Sequence, residues 1–444
     1  MAAKESQRRN DLKIFFNALA DRPLEPDDKA YLKDLHRDAA GGDPIDTLAA
    51  QILFTEGEGV YPFTGNRGTG KSTELRRLKK MLEDQGCVVF LADMQEYVNL
   101  TTAIEISDFI VAVMGALSEK VFERYNTNPG ERNYWDRLQA FFKSEVKLEE
   151  IELGGEGVSF KLAMRDDPDF RRRIQERTRG HVAKLVKDAH GFSSEVVRFV
   201  RGHEKDNSKK IVLIVDSVEQ IRGVGEDAEA VYKSVENLFS GHADKLHLPA
   251  LHVVYTVPPY LTVLAAGIGA HLGGGAVCSI PSIHIFERKS RNPDKVGVQS
   301  MLDVVTKRYP GWRNVFDEAA LADLVLCSGG DLRDCFRLMR LCLTAAAAHE
   351  ATLPISQGVL VSAKNRLRND MLPIAEDDKR WLKRITKTYG ACLGSQSQLP
   401  TLARFFDTKL VLNYLNGEEW YDIHPLIRTD IDDFDSDAAR PGAG

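Results

Sequence analysis

Gly65-Asn66-Arg67-Gly68-Thr69-Gly70-Lys71-Ser72 fits the spacing GxxxxGK[ST] without a gap. Glycines at these positions let main-chain N–H groups turn inward around phosphate oxygens. Lys71 is placed to reach β and γ oxygens, and the Ser72 hydroxyl to ligate Mg2+ at the positive end of the following helix. Thr73 is the next residue in that first turn. The expected ligands are ATP or ADP with Mg2+.

Such a loop needs a second acid on the metal side, at the end of a neighbouring strand. "KKIVLIVDSVEQI" supplies Asp216 after five apolar residues. The plain alternative is a solvent-facing strand end. Glu219, three residues on, is placed to polarise an attacking water, and a surface glutamate fits the spacing equally well. No HExxH, GxSxG, CxxC pair or His/Asp cluster of nuclease type accompanies these residues, so NTP hydrolysis is the only catalysis the sequence supports.

The elements that must position these groups alternate between strand and helix. A strand ends at Thr64, and Ser72 opens a helix with Leu75, Leu78 and Leu82 on one face. "CVVFLAD" (87–93), "IVLIVD" (211–216) and "LHVVYT" (251–256) are continuous apolar runs, the signature of a parallel sheet covered on both faces. Ahead of them, 1–57 reads as helical and polar, with apolar periodicity at Leu12–Leu19 and Tyr31–His36, and a helix begins at Asp43–Pro44. A long amphipathic helix covers 102–125. An insertion follows at about 128–208, with a hairpin expected to turn at Gly154–Gly155 and then a helical stretch from Arg171 to Lys210. That stretch holds twelve Lys and Arg against five Asp and Glu, which reads as a solvated face before it reads as a nucleic-acid groove.

Residues 294–372 read as a helical bundle in which "CSGGDLRD" stops one helix at glycine and caps the next with Asp331. Helices and then "LVLNYLNGEEWYDIHPL", with Asn416–Gly417 between alternating runs, predict a hairpin closing a winged helix. The tail beyond Thr429, rich in aspartate among small residues, is expected to be disordered. The fold class is thus α/β: a P-loop parallel sheet between helices, then a helical lid and a C-terminal winged helix. The expected divisions are 1–42, 43–290, 291–372, 373–429 and 430–444.

Across 444 residues, 43% apolar and 28% charged residues are ordinary for a soluble globular protein. The net charge of −6 gives no global attraction to nucleic acid, although a local patch can still bind it. The stretch 261–277 is broken by glycines and His271 and is too short to span a bilayer, so no membrane role and a cytoplasmic location are expected. Cys87, Cys278, Cys327, Cys335, Cys342 and Cys392 show no paired spacing and read as reduced thiols.

The D-x-x-E spacing of Asp216 and Glu219 resembles NACHT- and KAP-type ATPases of the STAND-like group, whereas AAA+ ATPases usually place the second acid where Ser217 stands. Thr256, ending a strand, falls where AAA+ and STAND proteins carry a polar sensor of the γ-phosphate. The arginine many STAND proteins place next is replaced by Val257-Pro258-Pro259. "SGGDLRD" resembles the GDxR motif of initiator-type AAA+ lids, which implies that Arg333 points at the phosphates. "WYDIHPLIR" resembles the STAND winged-helix segment, which implies that His424 contacts the β-phosphate of ADP. The loop and the "YLNGEEWYDIHPLIR" segment are also similar to bacterial stand-alone ATP-binding proteins of phage-defence systems.

The resemblance implies a nucleotide-controlled switch that forms a homo-oligomer and governs a separate effector protein. Arg222, Arg288 and Arg291 are candidates for an arginine donated to a neighbouring subunit. An initiator or loader that binds DNA through the winged helix and 171–210, and a nucleotide-bound scaffold without turnover, are the alternatives.

Overall fold

The apolar runs become strands because both their faces are covered. In chain order the elements are α1 (Ala2–Ala18), α2 (Pro44–Phe54), β1 (Gly59–Thr64), α3 (Lys71–Asp84), β2 (Val88–Asp93), α4 (Ile106–Tyr125), α5 (Tyr134–Phe141), α6 (Gly157–Asp166), α7 (Pro168–Thr178), α8 (Val182–Glu204), β3 (Ile211–Asp216), α9 (Ala228–Glu236), β4 (His252–Val257), α10 (Tyr260–Leu264), α11 (Ile268–His271) and β5 (Cys278–Ser279). They continue with α12 (Lys295–Arg308), α13 (Glu318–Cys327), α14 (Leu332–Ala348), α15 (Gln357–Asn369), α16 (Glu376–Thr388), α17 (Leu399–Asp407), β6 (Val411–Asn416), β7 (Glu418–Ile423) and α18 (Arg428–Asp432). The computed structural model describes residues 2–37, 42–130, 132–146, 157–223, 225–264, 268–273, 276–349 and 352–434. The chain forms two compact units, one from 45–64 and 77–279, the other from 1–44, 65–76 and 280–444.

The first unit holds a five-stranded parallel sheet in the order β2-β3-β4-β1-β5. Every residue of β3 and β4 is buried, and each apolar side chain there contributes about 1.5–3 kcal/mol by leaving water. Parallel pairing brings the carboxyl ends of β1, β2, β3 and β4 to one edge, with Thr64 opposite Val257 and Asp93 opposite Asp216. That edge is where open α/β sheets bind ligands. The acid strand β3 is not beside β1, as a neighbouring strand would be; β4 lies between them.

Helix α4 begins at Ile106, later than its periodicity suggested, because Glu105 and Asp108 form a reciprocal capping box there. Its residues from Ile106 to Ser118 are all buried, and α5 and α8 of the insertion pack on it. The hairpin expected in the insertion is contradicted over Gly157–Asp166, which is helical, while its Gly154–Gly155 turn lies outside the described residues. Lys161 and Met164 share a helix face at i and i+3. Lys161 pairs with Glu119 of α4 at 2.8 Å and Met164 is buried, so the apolar spacing serves a helical stripe.

The second unit has a core in which Leu12 and Phe15 of α1, with Leu19 just after it, pack with Trp312, Leu321, Leu324 and Leu338 of α12–α15 and their connections. The N-terminal helix is therefore part of the lid. Tyr31–His36 is a turn where a helix was expected, with Asp34 at φ 66. Trp381, Leu382 and Ile385 of α16 and Leu402, Phe405 and Phe406 of α17 form the buried faces beneath the β6–β7 hairpin. Gly417 at φ 87 makes the hairpin turn, as Asn-Gly predicts. Order persists beyond Thr429: α18 runs to Asp432, with Asp430 paired to Arg368. The tail from 435 lies outside the described residues.

Candidate functional site

The phosphate loop follows β1 directly. Gly68 and Gly70 sit at φ 99 and 97, conformations that side-chain-bearing residues avoid, and these turn the main chain into a cradle. Lys71 lies over the loop and donates from Nζ to the Gly65 and Asn66 carbonyls, both at 2.9 Å. Thr69 Oγ1 donates to Asn66 O at 3.0 Å. Asn66 is buried, yet neither its Oδ1 nor its Nδ2 has a hydrogen-bond partner among the described residues. A buried amide with unmet polar atoms inside a glycine cradle fits a phosphate-bearing ligand with its metal and water. Ser72, partly exposed in the first turn of α3, is the hydroxyl available to Mg2+, which when bound would draw charge from the phosphate oxygens.

The lid meets this loop at Gly68. A Cβ there would come within 2.8 Å of Arg333 Cβ and 2.9 Å of both Asp331 carboxylate oxygens. Asp331 caps α14 by accepting from Asp334 N at 2.9 Å, and Gly329 and Gly330 stop α13 at φ 65 and 79. Arg333 therefore stands in the first turn of α14 against the phosphate loop. Its Nε lies 2.5 Å from Asp21 Oδ2, in a half-exposed charge contact.

A strap from the N-terminal segment also binds the loop and its helix. His36 Nε2 lies 3.1 Å from Thr69 O, Thr73 Oγ1 accepts from Leu24 N at 3.1 Å, and Tyr31 donates to Glu74 at 3.1 Å. These contacts accompany the turn in place of the expected helix: Tyr31 reaches Glu74 of α3 and His36 reaches Thr69 of the loop. They escaped the sequence reading because nothing local marks them. Arg67 is exposed at the tip of the loop.

In the sheet unit, Asp216 ends β3 and is 5% exposed, with Oδ1 accepting from Ser217 N at 2.7 Å. Ser217 adopts φ 71, which turns the chain sharply into Val218–Gln220 and leaves Glu219 9% exposed. Thr256 is fully buried at the end of β4. Its Oγ1 accepts from Val218 N at 2.9 Å and donates to Val215 O at 3.3 Å. The hydroxyl thus braces the turn that carries both acids.

His424 is fully buried. Nδ1 accepts from Leu426 N at 3.2 Å, which puts the ring proton on Nε2, and Nε2 faces Asp334 Oδ2 at 3.6 Å. Arg291 pairs with buried Asp422, and Arg288 pairs with Glu418 at 2.9 Å, so both serve the hairpin. Arg222 is exposed, three residues after Glu219.

The basic stretch 171–210 spends much of its charge internally. Arg171 donates to Thr102, Arg201 to Lys209 O, and Lys184 pairs with Glu145. Lys210 caps α2 through the Ile52, Leu53 and Thr55 carbonyls.

No protein-family model matches the chain, and no curated protein matches it. Among solved structures it is similar to the ORC2 protein of Aeropyrum pernix in ADPNP–ADP complexes, with TM-score 0.41 and 10% identity over 94% of this chain and 97% of that one. It is also similar to Cdc6p of Pyrobaculum aerophilum, with TM-score 0.35 and 14% identity over 93% and 95%. A third is the ORC1 protein of Aeropyrum pernix in complex with DNA, with TM-score 0.35 and 12% identity over 91% and 95%. No helix of the described residues is long and apolar enough to cross a membrane.

Proposed function

We propose that the chain is a Mg2+-dependent P-loop ATPase of AAA+ type that works as a nucleotide-controlled switch. The observation that supports this best is the packing of the lid residues Asp331 and Arg333 on Gly68 of the phosphate loop. A ligand in the cradle and the first turn of α14 must then accommodate each other, which is how bound phosphate biases a lid. In this reading Lys71 and the loop amides hold the triphosphate, Ser72 and Asp216 are the metal ligands, Glu219 orients water, and Arg333 answers the phosphates. Steady-state ATP hydrolysis by the purified chain, with Lys71→Ala as control, tests it; equal turnover in both would refute it. A mass measurement with and without a slowly hydrolysed ATP analogue tests whether the switch forms a homo-oligomer.

For what the switch acts on, one observation favours nucleic acid over a separate effector protein of the phage-defence kind. A groove of about 620 Å³ runs between α16 and the start of α17, lined by Arg380, Lys383, Arg384 and Lys387, by Asp377 and Asp378, and by Trp381, Gln398 and Thr401. The four cations outnumber the two carboxylates, Asp377 pairing with Arg380 and Asp378 with Arg404, so the groove keeps a positive balance suited to a phosphodiester backbone. The hairpin tip, by contrast, carries Glu418 and Glu419. Binding to duplex DNA that weakens steeply with salt and is lost in Arg384→Glu/Lys387→Glu supports this partner. Binding unchanged by that variant removes it, and co-purification with a protein effector would restore the other.

A further inference from the structure

Four ionisable side chains meet out of water where the lid joins the winged helix. Lys409 Nζ lies 2.7 Å from Asp331 Oδ1 and 3.1 Å from Asp334 Oδ1, and His424 Nε2 faces Asp334 Oδ2 at 3.6 Å. Asp331 and His424 are fully buried, Asp334 is 3% exposed and Lys409 8%. One ammonium thus serves two buried carboxylates; Asp331 Oδ2 has no hydrogen-bond partner among the described residues, and Asp334 Oδ2 has only the longer approach of His424. Burial would raise the Asp334 carboxyl, but His424 and Lys409 outweigh it and hold it well below the usual carboxylate range. Asp331 is pushed up by the same burial, only partly offset by Lys409.

The backbone at Lys409 carries a second, independent sign. It follows α17 with φ 59, the left-handed slot after a helix that glycine fills most easily. A lysine there carries backbone strain that glycine would avoid. It reaches from the winged helix to the cap of α14, and that cap touches the phosphate loop, since both Asp331 oxygens lie 2.9 Å from where a Gly68 Cβ would stand.

We infer that Lys409 is a positioning residue for nucleotide binding: it cancels the Asp331 carboxylate that presses on the phosphate loop and so lets the loop accept a triphosphate. Without Lys409 the Asp331 carboxyl, already pushed up by burial, faces the cradle with no counter-ion; its charged form repels ATP more than ADP, because ATP brings the additional phosphate charge, so the loss of ATP binding grows with pH. The same contact makes the winged helix part of the nucleotide response, since moving Lys409 away has the electrostatic effect of deleting it.

This rests on the ATPase reading, and calorimetric titration of full-length protein with ATP and with ADP tests the two separately. If the unaltered chain binds neither nucleotide, the ATPase reading fails and Lys409 is not the cause. If it binds both, Lys409→Met should weaken ATP by about tenfold or more, and ADP by clearly less. Lys409→Arg should retain most of the ATP affinity. The decisive variant is Lys409→Met with Asp331→Asn, which removes the carboxylate nearest the phosphate loop while asparagine still caps α14 and Asp334 keeps His424. It should recover ATP binding, which a merely structural role for the lysine would not allow. Wild-type affinity in Lys409→Met, or a folded double variant that still fails to bind ATP, would overturn the inference. Should Lys409→Met alone not fold, Lys409→Arg and the double variant decide by the same criteria.

Discussion

Arg333 places its Nε 2.5 Å from Oδ2 of Asp21, a residue of the segment that follows the first helix, in an ion pair, while its Cβ rests against Gly68 of the phosphate loop. The lid arginine is thus held by a carboxylate at the spot where a phosphate would compete for it. The pair is half exposed and therefore weak, about 0.2–1 kcal/mol. Asp21→Asn should release Arg333 and tighten ATP binding roughly two- to fivefold, by the same energy. Arg333→Ala should weaken ATP binding whether or not Asp21 is present. Titration calorimetry on the two single variants and their combination checks this, and unchanged affinity in Arg333→Ala would remove the arginine from the site.

Gly68→Ala is expected to be costly twice over. The new Cβ would meet Asp331 and Arg333 at under 3 Å, and φ 99 strains any L side chain. Thermal unfolding should show a loss of about 1–3 kcal/mol, and nucleotide binding should fall with it. Gly86→Ala, also at positive φ but with open space around it, is the control: it should show the backbone cost without the loss of binding.

The acids at the end of β3 should separate by role. Asp216→Asn is expected to bind ATP but lose the Mg2+ dependence of turnover, and Glu219→Gln to bind ATP with Mg2+ and turn it over at least about a hundredfold more slowly. Thr256→Val should resemble a mild form of Glu219→Gln, because it removes the two hydrogen bonds that brace the turn. Single-turnover assays with each variant check the order. Unchanged turnover in Glu219→Gln would exclude that residue.

Asp108, buried under α7 of the insertion, gives a pH prediction. Burial pushes its carboxyl up to about 6, only partly countered by Gln175 and Arg171. The folded state therefore keeps a proton that the unfolded chain loses near pH 4, so stability falls as pH rises from about 4 to about 6. At neutral pH the charged form costs the fold about 3 kcal/mol. Asp108→Asn should raise the unfolding temperature at pH 7.5, leave it little changed at pH 4, and flatten the profile between. An unchanged profile would contradict the assignment.

Much of this architecture was legible in the residues because the signals are local. A glycine-rich loop, continuous apolar strands, Gly-Gly-Asp between two helices and Asn-Gly between alternating runs each dictate their own backbone. The parallel sheet, the caps of α14 and the hairpin followed directly. Contacts set by distant segments were not legible. Asp21 and His36 belong to no motif, and they meet the lid or the loop only because the strap that follows α1 carries them there. Lys409 left one faint trace: "FFDTKLVL" ends a helix without the glycine normally expected there. The hairpin read into Gly157–Asp166 failed because a short apolar alternation also fits one stripe of a helix. His424, read as a phosphate contact by resemblance, turns its Nε2 to Asp334, a partner that only the folded chain supplies.

The most direct test is calorimetric titration of the full-length protein with Mg-ATP, run beside Lys71→Ala. The account predicts saturable heat at one nucleotide per chain for the first and none for the second. Saturable binding that survives Lys71→Ala, or no heat from the unaltered protein with either adenine or guanine nucleotides, would contradict it.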